Sequence, residues 1–204
     1  MKLWLKLATS LLILSGCAQT KIPFDETDNT KVGYIVGTIG EYDPLKIAGS
    51  YWITFCERGT TREFNAFFVP RGLFDDRKIV ILQDERFTGS AFALKVPAGT
   101  YDICDTTVAR GTAYVTAKAR FIQPITVEPG KANYVGRFLA IPTARDGMLG
   151  SKHLNSFQWQ VSNRQRDDLM ELTKINPEAA ALPVVSTVPP ATSLIAPFFI
   201  REAP

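Results

Sequence analysis

The stretch that most constrains the fold is Phe92-Ala93-Leu94-Lys95-Val96-Pro97-Ala98-Gly99-Thr100-Tyr101-Asp102-Ile103-Cys104. Apolar residues alternate up to Pro97, stop at Pro-Ala-Gly, and resume with Tyr101, Ile103 and Cys104. A period of two sends successive side chains to opposite faces of an extended chain, so each half reads as a half-buried strand, with Pro97 and Gly99 marking the turn. The same grammar returns at Ile125-Thr126-Val127-Glu128-Pro129-Gly130-Lys131-Ala132-Asn133-Tyr134-Val135-Gly136. Two such units, separated by another strand-like run, predict a meander at the centre of a β-sandwich, with Phe87 to Val96 and Thr100 to Val108 as its central hairpin.

The flanking sequence supplies more strands. Lys31 to Ile39 carries Val32, Tyr34 and Val36 on one face, and Tyr51 to Cys56 sets Tyr51, Ile53 and Phe55 opposite Trp52, Thr54 and Cys56. Phe64 to Val69, Lys78 to Leu82, Tyr114 to Phe121 and Ala132 to Ile141 follow. Phe157-Gln158-Trp159-Gln160-Val161 alternates strictly, with Phe157, Trp159 and Val161 inward, after a loop from Pro142 to Ser156. About eight short strands with turn signals between them predict a mainly β chain, a two-sheet antiparallel sandwich over 31–162. At 163–176 the period changes. Gln165, Leu169, Leu172 and Ile175 form one stripe of an amphipathic helix, Ser162 or Asn163 can cap it, and Pro177 stops it. Asp167 and Asp168 suit the positive end of its dipole, and with Arg164 and Arg166 they read as a solvated helix end. The Ala/Pro-rich tail, 177–204, is either a strap lying over the domain or a free extension whose Phe198-Phe199-Ile200 contacts a partner.

The N-terminus gives an address. Met1 to Lys6 is a short basic region, Leu7 to Leu14 an apolar one too short to span a bilayer, and Leu14-Ser15-Gly16-Cys17 closes the segment. This reads as an export signal over 1–16. Its last four residues resemble the lipobox of bacterial lipoproteins. The resemblance implies that Cys17 is lipidated on its thiol, becomes the new N-terminus and is acylated there. Ala18, where Asp would retain the protein at the inner membrane, implies the outer membrane. Residues 17–30 are polar and acidic, a tether that stands the domain off the bilayer. Their carboxylates lack the regularly spaced oxygen ligands and glycine of a calcium loop.

Phe-Ala-Leu-Lys-Val-Pro-Ala-Gly-Thr-Tyr also looks like the Leu-Pro-x-Gly-x-Tyr signature of prealbumin-like and carboxypeptidase-regulatory-like sandwiches, with Val96 in place of the usual Leu. The order of lipobox, Pro-Ala-Gly-x-Tyr, Val-x-Pro-Gly-Lys-x-x-Tyr-Val-Gly and a helix opening near Arg-Asp-Asp-Leu is similar to bacterial lipoproteins of that kind, over roughly Lys31 to Pro177. These motifs are turn and core residues, so the resemblance implies a fold and an address and brings no activity with it.

The chemistry on offer is thin. Two cysteines remain after Cys17, and an exported compartment is oxidising, so Cys56 and Cys104 are candidates for a disulfide, with two buried thiols as the alternative. His153, the single histidine, sits in the 142–156 loop near Ser151 and Asp146 without the Gly-x-Ser-x-Gly context of a hydrolase, and reads as a surface histidine. One histidine cannot supply a zinc site. Asp75-Asp76 and Asp167-Asp168 are neighbours whose side chains diverge. No phosphate or dinucleotide loop is present, and no cofactor is expected. The formal charge of +3 includes Lys2 and Lys6 of the leader. The remaining basic residues are scattered among acids, which argues against nucleic acid as a partner. The sequence therefore predicts a lipid-anchored, periplasm-facing binding or scaffold module for an envelope protein, with edge strands, the 142–156 loop and the tail as contact surfaces. The alternative is a periplasmic hydrolase or a carbohydrate-binding accessory using exposed aromatics such as Trp52 or Trp159.

Overall fold

In the computed structural model, which describes residues 28, 30–41, 49–69, 81–83, 87–110, 113–117, 124–146, 152–188 and 199–201, the first run becomes β1 (Val32–Glu41), and all ten of its residues are buried. Ile35 and Ile39 point into one hydrophobic cluster and Tyr34 and Val36 into another. A strand buried on both faces lies in the middle layer of three. It pairs antiparallel with β5 (Thr88–Pro97) and parallel with β9 (Ala132–Asp146). Beyond β5 lies β4 (Ile81–Gln83), and beyond β9 lie β10 (Lys152–Ser162) and β12 (Phe199–Arg201), with β11 (Val184–Ser186) also on β9. The second sheet runs β3 (Glu63–Phe68), β2 (Ser50–Glu57), β6 (Gly99–Arg110), β7 (Ala113–Ala117), with β8 (Ile125–Val127) on β6. The protein is thus mainly β, two sheets facing each other across Ile35, Ile53, Phe55, Tyr101, Phe138 and Trp159.

The expected central hairpin is corrected. β5 belongs to the first sheet and β6 to the second, so Phe92 to Cys104 crosses the core and does not pair with itself. The second unit does the same, β8 in the second sheet and β9 in the first. Alternation reports which face a residue takes and says nothing about which strand lies beside it, so an arch between sheets and a hairpin within one have the same sequence pattern. The arches are held side by side against the start of β1. Ala98 N donates to Lys31 O at 2.7 Å and Gly130 N to Val32 O at 2.8 Å. The Tyr101 hydroxyl, from the buried face of β6, donates back to Pro97 O at 2.7 Å and fixes the first bend. A Cβ on Gly33 would lie 2.3 Å from Glu128 O, so the second arch packs directly on the β1 backbone.

The loop expected over 142–156 is mostly strand. β9 continues to Asp146 and pairs antiparallel with β10 from Lys152, which puts His153 within β10, in register with Arg145. Pro142 fits inside β9 because β1 ends opposite Ala140, and from there β9 needs ladder bonds on one side only. After Ser162 the chain forms α1 (Gln165–Ile175) and α2 (Pro177–Ala180). α1 and α2 lie over the outer face of the first sheet, with Leu172 of α1 and Ala179 of α2 buried in one cluster with Tyr34, Val36 and Tyr134. The tail then returns: β11 runs parallel to Ala132–Tyr134, taking the edge of β9 that β10 has vacated, and β12 runs parallel to Trp159–Val161. These two pieces of the tail lie on the sheet as a strap does. Phe198, Asp75, Asp76 and Cys17 fall outside the described residues. Among the described residues no helix is long and apolar enough to cross a membrane.

Candidate functional site

The two sheets differ in what covers their backs. On the first, the outer face is sealed by α1, and the seal contains a buried charge pair that overturns the reading of Asp168 as solvated. Asp168 is 2% exposed. Its Oδ1 accepts from Arg137 Nε at 2.9 Å and Nη2 at 2.5 Å, and its Oδ2 from Tyr134 OH at 2.7 Å and Thr38 Oγ1 at 3.0 Å. The Tyr134 hydroxyl in turn accepts from Arg164 N at 3.0 Å. Arg164 is the N-cap, and no side chain caps the helix; Asn163 Oδ1 accepts from Gln165 N at 3.2 Å. The sheet thus ties down the start of the helix through Arg164 N, and Asn163 takes the next N–H. Arg137 also lies over the Phe87 ring, 4.9 Å from its centroid. Burial pushes the Asp168 carboxyl above the usual carboxylate range, against the pull of Arg137, Tyr134 and Thr38. Burial and the Asp168 charge push the Tyr134 phenol above its ordinary value.

A single bulge makes this cluster possible. The β1–β9 register shifts between Val36↔Tyr134 and Thr38↔Arg137, where Gly136 has φ of +116°. The extra residue changes the phase of β9. Tyr134 and Arg137, three apart, both reach the helix side, while Val135 and Phe138 both enter the core between the sheets. Strict alternation would have sent Phe138 outward with Tyr134. Four donors from the sheet converge on the Asp168 carboxylate, so the cluster holds the helix on the sheet.

On the outer face of the second sheet Phe67 and Tyr114 stand exposed, and Trp52, Thr54, Asp105 and Thr107 are half-buried. Tyr51, Ile53 and Phe55 of β2 go to the core, which turns Trp52, Thr54 and Cys56 outward. Cross-strand register builds rows on that face. Phe67, Trp52, Thr107 and Thr116 form one row; Asn65, Thr54 and Asp105 the next; Ala109 and Tyr114 flank the first on its other side. Phe67 is 50% exposed and Tyr114 73%, whereas Trp159, the other tryptophan weighed as a platform, is fully buried. Between the aromatics lies a hydrogen-bonded polar grid. Thr54 Oγ1 donates to Asn65 Oδ1 at 2.8 Å, Thr107 Oγ1 to Asp105 Oδ1 at 3.3 Å, and Thr107 and Thr116 hydroxyls are 3.0 Å apart. Beyond β3 the face meets a cavity of about 350 Å³ with Asn65, Phe67, Phe92, Leu94, Ile175 and Asn176 among its walls.

The two candidate cysteines belong to this face. The β2–β6 register jumps from Thr54↔Asp105 to Phe55↔Ile103, which leaves Cys104 as the extra residue of a bulge. It turns towards Cys56, and the two form a disulfide with Cα atoms 5.9 Å apart. Closing a separation of 48 residues restricts the unfolded chain by about 4 kcal/mol in the loop-entropy model. Beside it Arg58 grips Asp102 with two hydrogen bonds of 2.6 and 2.7 Å. Phe199 and Ile200, expected to contact a partner, lie in β12 at the far edge of the other sheet. Among the described residues, no group of three or more His, Cys, Asp or Glu is placed to hold a metal.

No family model matches the chain, and no curated protein matches it. Among solved structures, a leucine-rich repeat protein from Bacteroides thetaiotaomicron is similar over 52% of this chain at 14% identity, with a TM-score of 0.32. The match spans 13% of that protein's chain.

Proposed function

We propose that the protein is a non-catalytic binding module of the bacterial cell envelope, anchored through lipid on Cys17 to the outer membrane and facing the periplasm, with the outer face of its second sheet as the working surface. The observation that carries this reading is the asymmetry of the sandwich. One sheet is backed by a helix and a charge-paired seal, and the other leaves Phe67 and Tyr114 half or more in solvent. A large aromatic left on a flat, stapled sheet is a contact group in search of a partner. The lipobox Leu14-Ser15-Gly16-Cys17 supports the anchor, and residues 17–30 are long and polar enough to present the domain away from the bilayer. The Pro-Ala-Gly-x-Tyr arch is the feature that supports a prealbumin-like type of sandwich. The edge strand β12, with Phe199 and Ile200, is a second contact surface for an envelope partner on this reading.

The test has two parts. Cells fed an alkynyl palmitate should label the wild type in the membrane fraction, and Cys17→Ser should lose both the label and the fractionation; retention of the label rejects the anchor. A photo-crosslinking residue placed at Thr116, on the aromatic face, should capture a specific cell component, and one placed at Met170, on the helix side, should not. Equal capture from both positions rejects the assignment of the face.

A further inference from the structure

We infer that the outer face of the second sheet binds a neutral, linear polysaccharide laid across the strands from Tyr114 over Trp52 to Phe67. This rests on the reading of that face as the binding surface and names what it binds.

Trp52 and Phe67 are directly opposite on β2 and β3, and Tyr114 stands two strands away on the other side, about 10 Å across the sheet. The Trp52–Phe67 pair and Tyr114 offer two stacking positions across the strands instead of one apolar patch. Sugar rings have the complementary chemistry: a face of C–H groups that packs on an aromatic ring, and a rim of hydroxyls that both donate and accept hydrogen bonds. The residues between the aromatics are suited to such a rim. Asn65 gives its carbonyl oxygen to Thr54, which leaves its amide N–H groups as donors at the surface. The Thr116 hydroxyl lies in the same row as Trp52, and the second carboxylate oxygen of Asp105 in the row of Asn65. A protein partner is favoured less, because a stable protein interface has a dry, contiguous apolar centre, and here threonines interrupt the aromatics.

Charge narrows the ligand further. The described side chains of these rows include Asp105 and Glu63 but no Lys or Arg, and Arg58 at their end is taken by Asp102. The carboxylates of Asp105 and Glu63 on these rows favour a neutral polymer over an acidic one. The disulfide supports the same surface. By tying Cys56 to the bulge at Cys104 it fixes β2 against β6, so the face is organised before a ligand arrives.

The experiment is native electrophoresis of the full chain extracted in detergent, through gels containing hydroxyethyl cellulose, glucomannan, xylan or soluble starch, with polygalacturonate as the acidic counterpart. Retardation by at least one neutral polymer is expected, about tenfold weaker in Phe67→Ala and in Tyr114→Ala, and unchanged in Met170→Ala. Both altered residues are exposed, and an unchanged thermal midpoint shows that each variant folds. Retardation by none of the four neutral polymers, by polygalacturonate alone, or to the same degree in both aromatic variants overturns the inference. Crosslinking from Thr116 in cells separates the two levels of claim. A captured protein lost on Phe67→Ala sinks the polysaccharide and leaves the binding module standing; no capture and no retardation sink both.

Discussion

Asp168 carries its charge into a site where water cannot reach it, and four donors replace the water. Such a pair is costly to break from one side, because the survivor is left charged and buried. Asp168→Asn should therefore lower stability to urea by about 3–5 kcal/mol, whereas Asp167→Asn, on the exposed side of the same turn, should stay within about 0.5 kcal/mol. The double variant Asp168→Leu/Arg137→Met should recover part of the loss, since it removes the desolvation cost of the ion pair but leaves the Tyr134 and Thr38 hydroxyls without their acceptor. A single variant that unfolds like the wild type would show that the seal bears no weight. Nothing local in the sequence distinguishes Asp168 from Asp167. The helical stripe of Leu169, Leu172 and Ile175 was legible, but Arg137 lies 31 residues away and reaches Asp168 only in the folded chain.

At the scale of elements, one glycine joins strand to helix. Gly136 lets β9 change phase, and an added Cβ there would meet Val161 Cγ1 at 3.0 Å and Ser162 O at 3.2 Å, on a backbone with φ of +116°. Gly136→Ala should cost about 1–3 kcal/mol, and its signature should be selective. Hydrogen exchange should speed up in α1, which loses its register with Tyr134 and Arg137, before it speeds up in β2 and β6, which the disulfide holds. Uniform acceleration across both sheets would show that the bulge is not what seats the helix. The same bulge marks the limit of reading strands from a pattern. The strands β1, β2, β3, β5 and β6 were legible within a residue or two, because apolar residues recur with a period of two, whereas β9 and β10 each extend five residues further than their alternation. Their partners were not legible. The Pro97 and Pro129 turns carry the composition of hairpins, yet they bridge the sheets, since a turn fixes a change of direction and the core decides where the next strand finds its neighbours. The outward alternation of Trp52 and Thr54 was visible too. That Phe67, Thr107 and Tyr114 would join them depended on registers that only the assembled sheet defines.

For the molecule as a whole, both sheets depend on a tyrosine whose proton is part of the fold. Tyr101 sits at the first arch with its hydroxyl on Pro97 O, and Tyr134 under α1 with its hydroxyl on Asp168. Burial raises both phenols above their ordinary value of 10.0, helped by the charge of Glu57 at the first and of Asp168 at the second. In the unfolded chain both lose their protons near pH 10, while the folded chain keeps them. Above that pH the native state binds more protons than the unfolded state, and stability must fall as pH rises. The contribution is complete below pH 10 and drains away as pH climbs towards the folded values, by as much as about 1.4 kcal/mol per pH unit for each tyrosine. Urea midpoints between pH 9 and 11.5 should therefore decline, and tyrosinate absorbance from these two residues should rise with unfolding instead of before it. Tyr134→Phe starts from a lower stability, having lost the bonds to Asp168 and Arg164, but should flatten the decline by roughly half, because one of the two retained protons is gone. A wild type as stable at pH 11.5 as at pH 9, or a Tyr134→Phe variant with an undiminished slope, would place the alkaline limit elsewhere and leave the first arch and the helix seal without a shared titration.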